Sequence, residues 1–320
     1  MRVGLSEIFW GERDREFDFL QKASALIERL GYDTIWLPEH VVKFETITSQ
    51  HPYAGQRAQT GWEHKTRGQF DSPTTAVAIA SLTTTIRIGT YVNLLALRNP
   101  VLFAREIATI DHLTRGRFDL GIGVGWSRQE YLALGVPFER RGDRVDEYIK
   151  AMKELWGREQ SEFHGEFVDF GPLWAYPKPL QRPHPPVLVA GQSKRGIRRA
   201  ADLGDGLILY NLNIPELELC LEEYDRLLTE RGRRLEDVNV VAGRRNVAGD
   251  AFSLGKPADK PELLEIWEAD ARFVEACREL GAIKEVVLSP RLPTDGYEDL
   301  MERYAATLGL GSPEIAAGKD

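Results

Sequence analysis

A regular alternation of short apolar segments with longer helical ones, repeated eight times, constrains the fold more than any other feature of this chain. The short segments are rich in β-branched residues and apolar throughout, which is typical of strands covered on both faces. They lie at residues 2–5, 34–37, 86–92, 118–122, 187–190, 206–210, 238–242 and 285–288. We therefore predict eight buried strands.

A helical pattern follows each predicted strand. In residues 15–30, for example, the apolar side chains fall near one helix face and Gly31 marks the end. The other helices are predicted at residues 74–82, 101–113, 144–156, 194–203, 216–231, 261–280 and 297–308. Strands alternating with helices indicate an α/β fold with a parallel sheet, and eight units favour a closed (β/α)₈ TIM barrel over an open sheet. We expect one domain over residues 1–320.

Two segments are too long to be simple connections of a barrel. Residues 41–71 follow the second predicted strand, and residues 160–186 precede the fifth. Long loops in compact domains often act as lids or binding loops, so we interpret both as insertions that shape a substrate site. The proline-rich run PKPLQRPHPP at residues 177–186 allows a second interpretation, a plain spacer.

Charge and cysteine content exclude several classes of function. The formal net charge of −8 and a pI near 5.5 argue against a nucleic-acid partner. The two cysteines, Cys220 and Cys277, provide neither a disulfide framework nor a CxxC metal site, and the histidines lack metal-ligand spacing. No transmembrane run and no leader pattern is evident. We expect a cytoplasmic protein with no membrane partner and no metal.

The carboxyl ends of the strands carry the binding residues in a barrel of this kind. Two glycine patterns stand at such ends, and neither fits a nucleotide motif. GIGVGW has Trp126 where the dinucleotide fingerprint needs glycine, and the run from Gly191 to Gly196 is followed by Ile-Arg instead of the Lys-Ser or Lys-Thr of a phosphate-binding loop. Rossmann and P-loop nucleotide sites are therefore disfavoured.

The AGQSKRG segment, residues 190–196, predicts a phosphate site of a simpler kind. Ser193 is placed to cap a helix that begins near Lys194, so free backbone N–H groups face the strand end. Lys194 and Arg195 add positive charge. The alternative is a capped helix whose basic residues are merely solvated.

Several ordered segments resemble one family. They are WLPEHV, IRIGTYVNLLALRNPVLFAREIATIDHLTRGRFDLGIGVGW, GVPFERRGDRVDEYI, FHGEFVDF, YPKPLQRPHPPVLVAGQS and RRAADLGDGLI. Together they are similar to the luciferase-like monooxygenase superfamily, and within it to the oxidoreductases that use the deazaflavin coenzyme F420. The resemblance covers roughly residues 1–209 well and the remainder loosely.

The resemblance implies where a cofactor would bind. In related deazaflavin enzymes an acid–histidine pair lies by the ring, which matches Glu39 and His40, and a non-proline cis peptide would fall between Tyr91 and Val92. Gly121, Gly123 and Gly125 would let a strand end pass close to the flat ring; tight packing is the alternative. The cofactor-binding residues expected on this basis are Thr90, Tyr91, Val92, Gly123, Val124, Gly125, Gln129, Ala190, Gly191, Gln192, Ser193, Lys194 and Arg195.

His40 is the residue we predict for proton transfer. An imidazole titrates near neutral pH, and hydride delivery to a carbonyl, imine or activated alkene needs a matching proton. Glu39 could orient the imidazole or act itself. Trp126 replaces a carboxylate of the related sugar-phosphate dehydrogenases, which argues against that substrate and suits an apolar or aromatic one. Alternatively, Trp126 only packs under its loop.

The sequence thus predicts a hydride-transferring oxidoreductase that uses coenzyme F420 and a small-molecule substrate. An FMN-dependent monooxygenase of the same fold, which uses O₂ and reduced flavin, is the first alternative, and a cofactor-binding protein without turnover is the second. The oligoglutamate tail of F420 would need a basic groove, for which Lys194, Arg195, Arg198 and Arg199 are available. By analogy with the family we expect a homodimer.

Overall fold

The computed structural model describes residues 1–6, 17–42, 44, 49, 70–244, 260–290, 292 and 296–311, with no side chains described for 260–262. The strands are β1 (Arg2–Ser6), β2 (Thr34–Leu37), β3 (Arg87–Thr90), β4 (Asn93–Leu94), β5 (Phe118–Gly123), β6 (Ser161–His164), β7 (Asp169–Leu173), β8 (Val187–Ala190), β9 (Gly206–Tyr210), β10 (Asn239–Arg244) and β11 (Glu285–Leu288). The helices are α1 (Phe17–Arg29), α2 (Ser72–Leu82), α3 (Pro100–Leu113), α4 (Arg128–Ala133), α5 (Arg141–Gly157), α6 (Lys194–Leu203), α7 (Ile214–Thr229), α8 (Lys260–Glu279) and α9 (Tyr297–Thr307).

Eight parallel strands close into a barrel. Their order around it is β3, β2, β1, β11, β10, β9, β8 and β5, and the two-residue β4 pairs with β5. Closure occurs between β3 and β5, where Ile88 lies opposite Phe118 and Gly89 opposite Asp119. The (β/α)₈ barrel predicted from the alternating pattern is confirmed, and all eight predicted strands are present.

The barrel separates two apolar cores. The larger core lies between the sheet and the surrounding helices. The smaller one fills the barrel interior and consists of Trp36, Leu188, Ile208, Val241 and Val287. Because side chains alternate between these two cores along each strand, both faces of a strand must be apolar. This is why the strand segments lack a polar face.

Three of the helices that begin earlier than predicted, α2, α3 and α7, carry a proline in the first turn and a capping side chain before it. Proline is tolerated there because its missing N–H would have no partner within the helix. Asn99 caps α3 just before Pro100, and Asn213 forms a capping box with Glu216 at the start of α7. Asp71 caps α2 through the amide of Thr74.

The insertion at residues 160–186 forms the β6–β7 hairpin, which the sequence did not reveal. Its turn is anchored on α5, where the Glu147 carboxylate accepts hydrogen bonds from the amides of Phe167 at 2.6 Å and Val168 at 2.7 Å. After the hairpin, the Gln181 side chain donates to Asp111 and to the carbonyl of Phe118, at the start of β5. The proline-rich end therefore packs at the amino ends of the strands, away from the carboxyl face. That residues 160–186 as a whole shape a substrate site stays a prediction.

Three other predictions concern the backbone, the membrane and the first insertion. The peptide between Tyr91 and Val92 is cis, as expected. No helix in the part of the chain that the structure describes has the length and apolar character needed to cross a bilayer. The other insertion, residues 41–71, lies almost entirely outside the described residues.

Candidate active site

All the predicted site residues lie at the carboxyl ends of β2, β3, β5 and β8, in the turns that follow or in the first turn of α4 or α6. These four strands are consecutive neighbours around the barrel. The barrel thus brings the predicted residues to one side of the face where TIM-barrel enzymes carry their sites.

His40 follows β2 and contacts two residues beyond the end of β5. Its Nδ1 lies 3.1 Å from Oε2 of Glu130, and its ring meets that of Trp126 edge-on at 5.8 Å between centroids. The His40 side chain is 17% exposed, so it is accessible from the carboxyl face. Trp126 is also partly exposed.

Glu130 is a site residue that the sequence interpretation missed. Ser127 caps α4 by accepting a hydrogen bond from the Glu130 amide, and the Glu130 carboxylate turns back toward β2. There Oε1 accepts from the amide of Val41 at 2.9 Å while Oε2 meets His40. The side chain is only 2% exposed. The Ser-x-x-Glu spacing was the available signal, since it marks a helix start with a carboxylate in the first turn.

Glu39 does not orient His40, contrary to one of our expectations. Its Oε2 accepts from the amide of Leu94 at 2.7 Å, and its Oε1 forms an ion pair with Arg98 and a longer bond with Ser72 at 3.4 Å. Arg98 is itself bound to Asp71 at 3.1 Å. Glu39 therefore joins β2, β4 and the start of α2 and serves the structure around the site.

Tyr91 and Val92 cover the barrel interior at its carboxyl end. The Tyr91 ring lies 6.0 Å from that of Trp36 and 6.1 Å from that of Tyr210. It reaches across to β10, where a Cβ built on Gly243 would stand 1.6 Å from the Tyr91 hydroxyl. Both Tyr91 and Val92 remain partly exposed. They form an apolar floor suited to a flat ring.

The glycines of β5 are required by close packing against β3. A Cβ on Gly121 would lie 2.0 Å from the carbonyl oxygen of Thr90, and one on Gly123 would lie 2.6 Å from Cγ2 of Val92. The Thr90 hydroxyl also donates to the carbonyl of Gly121 at 2.7 Å. For Gly121 and Gly123 the structure therefore shows the packing function that we held as the alternative.

The turn after β5 is held by side chains from α4 and α5. Tyr131 donates to the carbonyl of Val124 at 2.5 Å, and burial raises the pKa of Tyr131 to about 12, which keeps this donor protonated. Nε of Arg141 donates to the carbonyl of Gly125 at 3.1 Å. Gln129, on α4 beside Glu130, is partly exposed. Arg141 is a second site residue that the sequence interpretation missed.

The turn after β8 leads directly into the N-terminus of α6. Ser193 caps α6 by accepting from the Gly196 amide at 3.2 Å. A Cβ on Gly196 would lie 2.8 Å from Cα of Gly191, so the turn packs directly on the first turn of the helix. The Gln192 side chain accepts from the Tyr210 amide at 3.2 Å and fixes the turn to β9.

The basic residues of α6 divide into two groups. Lys194, Arg195 and Arg198 are exposed. Arg199 is ion-paired with Asp146 of α5, and its side chain is only 10% exposed. Three of the four cations expected for an anionic tail are therefore accessible.

Metal binding finds no support among the residues that the structure describes. Within them, no three His, Cys, Asp or Glu side chains come together as a candidate metal centre.

A family model described as luciferase-like monooxygenase matches residues 9–251. An uncharacterized protein of Mycobacterium tuberculosis is 32% identical over 287 residues, which cover 89% of this chain and 92% of that protein. The FMNH₂-dependent dimethylsulfone monooxygenase of Pseudomonas putida is 37% identical over 110 residues, 33% of this chain and 30% of that enzyme.

A similar solved structure is that of an F420-dependent secondary alcohol dehydrogenase in complex with an F420–acetone adduct. It has a TM-score of 0.70 and 16% identity, and the match covers 96% of this chain and 98% of that one. At this identity the likeness establishes the barrel fold.

Proposed function

The chain belongs to the luciferase-like monooxygenase family, and on that premise we propose that it is an oxidoreductase transferring a hydride between coenzyme F420 and a small organic substrate. The observation that carries the proposal is the histidine held by a buried carboxylate and edge-on to Trp126. Such a pair supplies the proton that must accompany a hydride. When bound, the deazaflavin would supply the hydride itself.

The proton would move at Nε2 of His40. The carboxylate of Glu130 lies beside Nδ1 and favours the neutral tautomer in which Nδ1 carries the proton. In that tautomer Nδ1–H donates to the Glu130 oxygen at 3.1 Å, and Nε2 is the nitrogen that can exchange a proton with the substrate. Val41 donates to the other carboxylate oxygen and fixes the side chain. Glu130 is in this account a positioning residue, and His40 is the catalytic one.

The residues that would hold the cofactor fit a tricyclic ring with a phosphate-bearing chain. The ring would lie over Tyr91 and Val92, near the backbone of Val124 and Gly125 and within reach of Gln129. The phosphate would lie at the N-terminus of α6, where the free amides and the dipole favour an anion. Residues assigned to the phosphate and the following chain are Ala190, Gly191, Gln192, Ser193, Lys194 and Arg195.

Two observations favour F420 and its substrate class within this proposal. The exposed cations Lys194, Arg195 and Arg198 form a basic strip along the first turns of α6, where a polyanionic tail would continue from the phosphate. Trp126, edge-on to His40, gives the substrate an aromatic neighbour, which suits an apolar carbonyl, imine or alkene.

The second candidate is an FMN-dependent monooxygenase. The stretch similar to the P. putida FMNH₂-dependent enzyme favours it, and FMN has both a phosphate and a tricyclic ring. The two candidates differ in the cofactor's tail and in the need for O₂.

Substitutions at His40 and Glu130 test the proposed chemistry. His40→Asn should leave F420 affinity within about threefold of wild type and reduce turnover by about 10²–10⁴, the usual contribution of a general acid or base. Glu130→Gln should reduce turnover less, because the amide oxygen can still accept from His40. Turnover would be followed as reduced F420 oxidation with a panel of small ketones, imines and activated alkenes.

The matched control is His112→Asn. His112 is an exposed histidine of α3 that forms a hydrogen bond with the carbonyl of Lys178 near the opposite end of the barrel. Its replacement should therefore change neither the F420 affinity nor the turnover. If His40→Asn turns over as fast as His112→Asn, the assignment of His40 is wrong.

The assembly and location of the enzyme stay predictions. We propose a cytoplasmic homodimer that binds a small molecule and neither nucleic acid nor membrane. Light scattering on the purified protein would give the mass of the assembly.

A further inference from the structure

Trp36 fills the barrel interior directly below the floor of the site. It is completely buried and lies between two glycines of the neighbouring strands. A Cβ on Gly4 would come within 2.9 Å of its Cδ1 and Nε1, and one on Gly89 within 2.4 Å of its Cε3 and Cζ3. The indole thus occupies space that β1 and β3 leave open only because both residues are glycine.

Glu285 fixes the polar edge of this indole. Nε1 of Trp36 donates to Oε1 of Glu285 at 2.6 Å, and Nη2 of Arg2 lies 2.8 Å from Oε2. Glu285 is completely buried at the start of β11, whereas the Arg2 side chain is 30% exposed. This bond is short for an N–H···O contact, and together with Arg2 it holds the carboxyl group of Glu285 in place.

The opposite side of Trp36 supports the site. The Trp36 and Tyr91 rings meet at 65° with centroids 6.0 Å apart, and Tyr91 is in turn held against Gly243. Glu285, Trp36 and Tyr91 therefore form a column that runs from the amino end of the barrel to the floor of the site. We name these three residues the central column.

We propose that Glu285 and Trp36 are positioning residues, which set the place of the Tyr91–Val92 floor and thereby the affinity for the cofactor ring. The statement about the cofactor rests on the proposed function. The column itself rests only on the contacts just described.

The physical reason is that close packing transmits small rotations. The hydrogen bond to Glu285 fixes the rotation of the indole about its own axis. Without the bond the ring can tilt, and we expect Tyr91 to follow, because close-packed side chains leave little room to absorb a neighbour's shift.

Trp36→Phe is the main test, because it keeps an aromatic ring and removes the N–H donor. The matched control is Trp156→Phe. Trp156 is also buried and also donates its Nε1–H, to the carbonyl of Ala104 at 2.9 Å, but it lies in the helix layer outside the barrel. The two variants lose the same kind of bond, and only one of them is in the central column.

Two readouts are measured on the full-length variants. The first is hydrogen exchange of the peptides that cover residues 88–95, in the protein without cofactor. The second is the dissociation constant for F420 or FMN, whichever the wild type binds. Glu285→Met should reproduce Trp36→Phe, and Glu285→Gln should restore near wild-type behaviour because its amide oxygen still accepts from Trp36.

We expect Trp36→Phe to speed exchange at residues 88–95 and to weaken cofactor binding about tenfold, which is the effect of one net buried hydrogen bond of about 1.4 kcal/mol. Trp156→Phe should change neither readout. The double variant with Glu285→Met should bind no more weakly than either single one.

Equal effects of Trp36→Phe and Trp156→Phe on both readouts would overturn the proposal, and so would a Glu285→Gln variant that behaves like Glu285→Met. If the wild type binds neither cofactor, the proposed function fails. In that case faster exchange in Trp36→Phe alone would still support the central column, and unchanged exchange would overturn it.

Discussion

Replacing Arg98 with methionine should destabilise the protein by about 3–5 kcal/mol, the cost of removing one partner from a buried ion pair. The side chain of Glu39 is only 5% exposed, and that of Arg98 is 22% exposed. In Arg98→Met the carboxylate keeps the amide of Leu94 and the hydroxyl of Ser72 but loses its cation. Methionine keeps an unbranched apolar side chain but also loses the guanidinium that lies 5.0 Å over the Phe103 ring.

Replacing the other partner of the ion pair, Glu39, should destabilise the protein less. Glu39→Gln keeps an oxygen for the Leu94 amide, and Arg98 keeps Asp71 as a partner at 3.1 Å. We expect a loss of about 1–2 kcal/mol, typical of a hydrogen bond to a charged group that becomes neutral. In the double variant no buried charge is left unpaired, because the remaining carboxylate of Asp71 is 47% exposed, so it should be more stable than Arg98→Met alone by about 1–3 kcal/mol.

Urea unfolding of the wild type, both single variants and the double variant, followed by tryptophan fluorescence at one pH, measures these differences. If Arg98→Met loses less than about 1 kcal/mol, or if adding Glu39→Gln destabilises it further, then the pair is not the buried ion pair described above. Glu39→Gln should also retain turnover, since Glu39 contacts the Leu94 amide and Arg98, and proton transfer is proposed for His40.

Two further predictions concern stability. Gly121→Ala should cost several kcal/mol and lower the melting temperature, because its Cβ would stand 2.0 Å from a backbone carbonyl oxygen. The control Gly157→Ala should be tolerated, because the space around Gly157 is open. Equal melting temperatures of the two variants would contradict the packing described for β5. Burial raises the pKa of Glu285 to about 7 from 4.5, even though Arg2 and Trp36 act to lower it. The folded state therefore binds the proton more tightly than the unfolded state, so stability should fall by up to about 3 kcal/mol as the pH rises through that interval. Unfolding at several pH values would show a fall that Glu285→Gln lacks, and a wild type whose stability rises there would contradict this.

The fold was predictable because barrel strands are apolar on both faces and are followed by amphipathic helices. The ends of the helices were harder to predict. Pro73, Pro100 and Pro215 look like helix breakers in a pattern, yet each lies in the first turn, where the backbone needs no N–H. The β6–β7 hairpin is exposed along much of its length and therefore lacks the apolar signal of a barrel strand.

The sequence placed the candidate site residues at one end of the barrel, but it did not reveal their side-chain pairings. Glu39 and His40 are adjacent in sequence, but successive side chains of extended backbone point to opposite sides, so adjacency made their pairing less probable rather than more. The carboxylate that meets His40 is 90 positions away, and the one that meets Trp36 is 249 positions away. Such contacts exist only after the barrel closes.

Equilibrium titration of the purified protein without cofactor, with coenzyme F420 and separately with FMN at fixed salt, tests the central claim most directly. We predict binding of F420 with a dissociation constant of about 1 µM or lower, about −8 kcal/mol, and much weaker binding of FMN. The reverse preference, together with O₂ consumption in the presence of reduced FMN, would contradict the account and establish the monooxygenase candidate instead.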